Sequence, residues 1–388
     1  MTSERERSLE WRAEPGTISP GNLDAWYLGE GRVHKVPTKA DYAAGGFATI
    51  LDGWIPPEPP IGADTRVVGV GSCFAQYFIT WLADNGFNRS LDASPYNALV
   101  RYGSTFESPA VIAQQFRWAF GELDAQNALW IGKDRELFEA SDERRRLVRD
   151  TLLATDVLIL TLGLSEVWYD NATGEPLWRA LTRRHYDPAR HVFRVETMQD
   201  TKRHLEKIEE IRRAHLPGLK IVFTVSPVRL AATFRPVSAV TANSASKAIL
   251  RAALDEFLRE HAERVNREIF YFPSYEIVHD FFRDPFESDN RHVTEFVSRH
   301  VVGAFARHYC APGMVPAAAA PERFTADEHA ARIEVLERRI AELQSTCDAR
   351  QKVIEELDQA ARERLALVER LHAECESLRA SPAGEAER

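Results

Sequence analysis

Four short apolar runs separated by helix-like stretches set the limits on how this chain can fold. They lie at 67–70, 157–161 and 221–225, with a shorter one at 269–272. Each run is continuously apolar and does not alternate with polar residues, the pattern of strands covered on both faces. Helical stretches are expected at about 74–85, 109–121, 143–154, 198–214, 244–264 and 293–308. Strands that alternate with helices build a mostly parallel sheet with helices on both sides. The expected class is therefore α/β, a three-layer α/β sandwich. Apolar residues are 44% of the 388 and include 20 Phe and 8 Trp, enough for a large core.

The flanks read differently. Residues 1–62 are rich in Pro, Gly and Trp without a period and are expected to form an irregular arm, ended by Pro57, Pro59 and Pro60. The α/β domain is expected over 63–310. Pro312, Gly313, Pro316, the alanines at 317–320 and Pro321 mark a linker over 311–325. From 326 to 380 a 3.5-residue apolar seam runs through Ile333, Leu336, Ile340, Leu343, Ile354, Leu357, Val368, Leu371 and Leu378. Arg350 and Arg364 interrupt it at d, and Cys347 and Cys375 sit at a. Such a seam predicts a coiled coil and self-association, because its other faces are densely charged. A disordered tail is expected at 381–388.

Charge and cysteines narrow the function classes. A net charge of −9 argues against a nucleic-acid partner. No stretch approaches eighteen apolar residues, so no membrane span is expected. The first residues are charged and lack an apolar leader, and the four cysteines are widely spaced. Both features fit reduced thiols in a cytoplasmic protein. No metal-ligand cluster, P-loop or dinucleotide glycine fingerprint occurs, so no cofactor and no metal are implied.

The candidate chemistry begins at Ser72, which ends the first apolar run and precedes a helix. Ligands of open α/β sheets bind where strand carboxyl ends meet helix amino ends. A serine there can attack a carbonyl and offer its own N–H to the oxyanion. The same position suits a plain helix N-cap. Cys73 is the competing nucleophile, but the next residue points about 100° away round a helix, so only one of the two faces the crevice. Asp289-Asn290-Arg291-His292 supplies an imidazole and a carboxylate three residues apart. His292 is the expected general base and Asp289 its orienting partner. His279, His300 and His308 read as structural or solvated. Glu166 and Trp168 follow the second run and are expected to line the crevice, with the aromatic as a sugar platform or as core. Arg229 follows the third run and is expected to meet an anionic substrate or to pair at the rim. Asn171-Ala172-Thr173 fits a glycosylation sequon and carries no weight without a secretory context.

Gly71-Ser72-Cys73-Phe74-Ala75 resembles, letter for letter, the pentapeptide that names the GSCFA family, grouped with the SGNH (GDSL-like) hydrolases. The likeness continues through 102–106, 161–166, 224–229 and 271–275 and covers roughly 30–310. It implies a sandwich of SGNH-hydrolase type with a Ser72–His292–Asp289 triad. It also implies oxyanion donors at Ser72 N–H and at a glycine, for which Gly103 is the best position here. The third donor of such enzymes is an asparagine, and here Gly163-Leu164-Ser165-Glu166 has Ser165 in its place. Ser165 is expected to donate through its hydroxyl, or Asn97 through its amide. The expected function is ester hydrolysis through an acyl-enzyme, on an ester-bearing small molecule or a glycan. Transfer of the acyl group to a hydroxyl acceptor, making the protein an O-acyltransferase, shares that chemistry. The rival from another class is a non-catalytic coiled-coil scaffold with a degenerate site.

Overall fold

The computed structural model describes residues 36–72, 74–87, 108–124, 130–131, 137–138, 141–177, 181, 183–312 and 326–380. It divides into two units, Met1–Arg323 and Phe324–Arg388. Asn97, Gly103, Cys73, most of the linker and the tail at 381–388 lie outside the described residues.

The first unit is built on four parallel strands in the order β1 (Val67–Gly71), β4 (Val157–Leu162), β8 (Lys220–Val225) and β9 (Ile269–Tyr271). Their starts match the four apolar runs. The expected burial on both faces holds, since every residue of β1 and β4 is buried. Alternate residues feed two separate cores. Val68, Val70, Leu158, Leu160, Ile221 and Phe223 face one side. There they meet α4 (Pro109–Ala119), α5 (Asp142–Leu153), α6 (Met198–His215) and α7 (Ala239–Glu260). Val67, Val157, Ile159, Val222 and Phe270 face the other side, against α3 (Phe74–Asp84) and α9 (Glu295–Tyr309). The period of two along each strand thus produces the three layers. Phe78 of α3 and Phe305 of α9 pack edge to face at 4.8 Å, which locks the two helices together.

Both helices start at the carboxyl edge of the sheet. α3 follows β1 directly. α9 ends at the opposite edge, where Ile61 N–H donates to Tyr309 O at 3.1 Å and Ala311 N–H to Ile61 O at 2.7 Å, shortly before β1 begins. Arg66 and Asp156 close that amino edge with a paired hydrogen bond at 2.7 and 3.0 Å.

Four features depart from the expected outline. The described part of the arm holds two short helices, α1 (Lys39–Gly45) and α2 (Ala48–Leu51). A reciprocal Thr38–Asp41 capping box starts α1, and Phe47 and Leu51 are wholly buried. An antiparallel sheet of β6 (Glu175–Pro176), β5 (Glu166–Asp170) and β7 (His191–Val195) grows out of the end of β4. Its strands mix polar with apolar residues, so continuous apolar runs do not reveal them. A two-stranded ribbon, β2 (Trp130–Ile131) with β3 (Leu137–Phe138), is also present. After β9, α8 (Ser274–Glu276) passes into a π-helical turn at Ile277–Phe281 that buries Ile277 and Val278.

The second unit is one helix, α10 (Ala326–Ala380), of 55 residues. Leu343, Ile354, Leu357, Val368 and Leu371 of its apolar seam are each more than half exposed. No helix among the described residues is long and apolar enough to cross a membrane.

Gly71 is where the sheet is least tolerant. Its φ is +124°, and an added Cβ would stand 2.0 Å from Thr161 O. Gly71→Ala must part β1 from β4 and strain the backbone, so it should cost about 3 kcal/mol or more. Urea unfolding should show a lower midpoint with an unchanged m-value; an unshifted midpoint would refute the close-approach argument.

Candidate active site

The carboxyl ends of β1, β4, β8 and β9 form one edge, and the candidate residues Ser72, Ser165, Glu166 and Arg229 follow the first three of them. At β1, Ser72 is 4% exposed. Its hydroxyl accepts from Phe74 N–H at 3.2 Å, the geometry of a residue capping α3. Its own N–H donates to Thr161 O at 3.1 Å. That amide is therefore engaged in the β1–β4 ladder and does not point free as an oxyanion donor.

Ser165, after β4, is fully buried. Its N–H donates to Ser246 Oγ at 2.8 Å and its hydroxyl to the same atom at 3.2 Å. The hydroxyl expected to replace the missing asparagine instead ties the β4–β5 turn to α7. Glu166 accepts from Thr233 Oγ1 at 2.8 Å, with Arg235 3.9 Å away. Trp168 packs with Tyr186, Phe193 and Phe234, the core-like alternative for that aromatic. Phe234 and Tyr186 leave one flank of the cluster exposed.

After β8, Ser226 Oγ accepts from Val228 N–H and Leu230 N–H donates to Asn243 Oδ1, which sets the course of the loop. Arg229 projects from it to the His292 loop. It donates to Asn290 O at 3.2 Å and Asn290 Oδ1 at 2.6 Å, and its guanidinium carbon lies 3.9 Å over the Phe286 ring. Arg291 returns the link through Nε to Arg229 O at 2.9 Å. The rim pairing expected for Arg229 is thus made with an amide and a carbonyl, not a carboxylate.

The loop before α9 is closed by Glu287 N–H to His292 O at 2.7 Å and by Asn290 in the left-handed region at φ 54°. Asp289 Oδ1 accepts from the N–H groups of Arg291 and His292 at 2.9 and 3.0 Å. Its Oδ2 lies 2.5 Å from His292 Nδ1. The two amides, His292 first, and then the imidazole hold the Asp289 carboxyl down at about 2. Arg291 Nη1 lies 2.7 Å from His292 Nε2. A guanidinium only donates, so Nε2 carries the lone pair and the ring proton sits on Nδ1, facing Asp289.

The GSCFA family model matches residues 66–305, from just before β1 to within α9. The chain belongs to the GSCFA family. No curated protein matches it. The matched span contains Ser72, Asp289 and His292, and family membership suggests a hydrolase-like function.

Within this GSCFA domain, Ser72 and the Asp289–His292 pair stand at the amino ends of two helices packed on one sheet face. Ser165, Glu166 and Arg229 follow the neighbouring strands. Two residues escaped the sequence reading. Arg291 sits between the proposed acid and base and has no motif of its own. Lys247 is 2% exposed in the middle of α7, with Nζ 2.5 Å from Gly163 O. Among the described residues no three His, Cys, Asp or Glu side chains converge as a metal site. A cavity of about 620 Å³ lies elsewhere, lined by Arg117, Tyr169, Glu196, Asp200, His204 and Lys207 among others. Its charges pair with neighbours, as in Arg117–Glu175 and Lys207–Glu210, which makes it a solvated groove.

His279, on the π-helical turn, packs against Tyr275 and Phe286 at 4.3 and 5.5 Å. Burial first, then the charges of Arg229 and Lys247, push it down to about 4. It is neutral near pH 7, the structural role expected of it. Its folded value lies below the unfolded 6.5, so its contribution is complete above about 6.5 and lost as pH falls toward 4. Urea midpoints should drop between pH 7 and pH 5, and His279→Phe should flatten that slope. An unchanged slope in the variant would assign the acid sensitivity to other groups.

Proposed function

We propose that the domain is a serine-dependent ester hydrolase working through an acyl-enzyme. Ser72 Oγ attacks the acyl carbon and passes its proton to His292 Nε2 while the C–O bond to the leaving alcohol begins to break. His292 returns that proton to the alcohol as it departs. Water, deprotonated by the same nitrogen, then attacks the acyl-enzyme and restores Ser72. Asp289 keeps the Nδ1 proton in place and stabilises the imidazolium. The observation that most supports this reading is the polarity of the ring. Nδ1–H faces a carboxylate held ionised far below neutral pH, so Nε2 is the basic atom.

With Ser72 N–H and the Ser165 hydroxyl both engaged, we assign the oxyanion to Gly103 N–H and the Asn97 amide. Asn97→Ala should lower kcat about 10²-fold, as loss of one oxyanion donor does. A kcat within threefold or so of the parent would remove Asn97 from the site.

A fluorophosphonate probe followed by mass mapping tests the nucleophile. The label should fall on Ser72. Ser72→Ala should abolish it and cut esterase activity by about 10³ or more, while Cys73→Ala keeps most of both. Protonation of His292 removes the lone pair that accepts the Ser72 proton, so activity should decline on the acid side. Absence of any serine label would favour the non-catalytic scaffold, the second reading that the engaged Ser72 and Ser165 donors support.

The exposed seam of α10 supports self-association as a coiled coil. Sedimentation of the full chain should give an oligomer, and Ile354→Glu with Leu357→Glu should dissociate it. A monomeric parent chain would end this assignment.

A further inference from the structure

Arg229 and Arg291 are two guanidiniums on the two loops that flank the His292 ring. Neither forms an ion pair with a carboxylate among the described residues. Arg229 uses Nη1 on Asn290, and Arg291 uses Nε on Arg229 O and Nη1 on His292 Nε2. The remaining donors of both forks have no hydrogen-bond partner among the described residues. Both side chains are only partly buried, so solutes reach them. Asp289, which shares the His292 loop with Asp284 and Glu287, already accepts from two amides and meets the imidazole. Lys247 adds a buried cation at the end of β4, close enough to act on the same His279 ring as Arg229.

We propose that this pair recognises an oxyanion on the substrate, and that its arrival draws Arg291 off His292 Nε2. The inference rests on the acyl-enzyme reading, because it concerns the atom that must accept the Ser72 proton. Arg291 Nη1 occupies that lone pair at 2.7 Å, so the base is stoppered while the site is empty of substrate. A guanidinium on a neutral imidazole makes an ion–dipole contact, whereas a carboxylate or phosphate offers it an opposite charge and a bidentate fork. A carboxylate or phosphate near the scissile ester therefore competes well for Arg291, with Arg229 as the second arm. Nε2 is then open to the serine hydroxyl. The substrate class is an ester carrying an anionic group on its acyl or alcohol portion. Neutral esters meet a base that is mostly occupied. Arg291 is a positioning and specificity residue here and takes no proton.

The full-length protein is assayed on 4-nitrophenyl butyrate and 4-nitrophenyl hemisuccinate, which differ by a methyl against a carboxylate. The hemisuccinate should have a kcat/KM about tenfold or more higher, the range of a hydrogen bond to a charged group. Arg291→Met should erase the preference by raising KM for the hemisuccinate, and should raise kcat on the butyrate because the stopper is gone. A role confined to holding the loop would lower kcat on both esters together. Arg291→Lys keeps the charge and should keep part of the preference; it carries the test if the Met variant does not fold. Calorimetry with succinate and with inorganic phosphate, on parent and variant, separates the sources: tighter succinate binding names a carboxylate ester, tighter phosphate binding a phosphorylated one. The proposal is overturned if the parent turns over the two esters equally, or if neither anion binds the parent more tightly than the variant. Taken to completion, labelling of Ser72 by a neutral fluorophosphonate reports the nucleophile whatever its rate, and Arg291→Met should speed it. A labelled Ser72 without anion preference removes the clamp alone; an unlabelled Ser72 removes the acyl-enzyme reading, and anion binding still decides the clamp.

Discussion

The contact between Gly71 and Thr161 O is the constraint on which the site depends. β1 and β4 pair in register from Val67↔Val157 to Gly71↔Thr161, and the last pair brings two backbones closer than a side chain permits. That closeness lets Ser72 N–H reach Thr161 O and turns the chain at once into α3. The serine is held by the ladder on one side and by its own capping bond on the other. The capping bond and a nucleophilic role are compatible. A hydroxyl has two lone pairs and one proton, and Phe74 N–H occupies one lone pair only. The proton that a base must take is not consumed by the cap.

The sheet was legible because its strands are short continuous apolar runs, and burial on both faces leaves no room for another pattern. The Ser72 position followed from the same runs, since a strand end and a helix start define the crevice. The β5–β7 sheet was not legible. Its residues, such as Glu166, Asp170 and Arg194, mix polar and apolar without a period of two, and its pairing depends on a partner strand more than twenty residues away. The roles of Ser165 and Lys247 were also hidden. Both are decided by what α7 brings to the end of β4, namely Ser246 and the Lys247 ammonium itself. Spacing along the chain reports on neither, because the contacts span more than eighty residues.

The Asp289–His292 segment illustrates a different limit. Asp-x-x-His is a common spacing and by itself fits a turn that caps a helix. In the structure Thr294, not Asp289, caps α9, its hydroxyl accepting from Val297 N–H at 3.3 Å. Asp289 is left to organise its own turn, and it does so with the amides of Arg291 and His292 while its second oxygen meets the ring. The carboxylate thus fixes backbone and imidazole together. Rotating the ring would mean breaking a bond to an anion that is ionised throughout the neutral range.

One line of polar contacts then joins the β8 loop to the His292 loop. Arg229 reaches Asn290, Arg291 reaches back to Arg229 O, and the same Arg291 side chain touches His292 Nε2. Each loop is therefore positioned by a side chain of the other, and the imidazole is the terminus of that exchange. The β8 loop stands two strand spacings from β1, about 10 Å, with the end of β4 between them. Arg229, Arg291 and the buried Lys247 lie along this region, while the exposed Asp289 carboxylate is engaged by its own turn. Charge as well as geometry thus favours an incoming anion at the loop pair, even though the chain as a whole carries a net charge of −9. Local potential at a cleft is set by the nearest groups and not by the total.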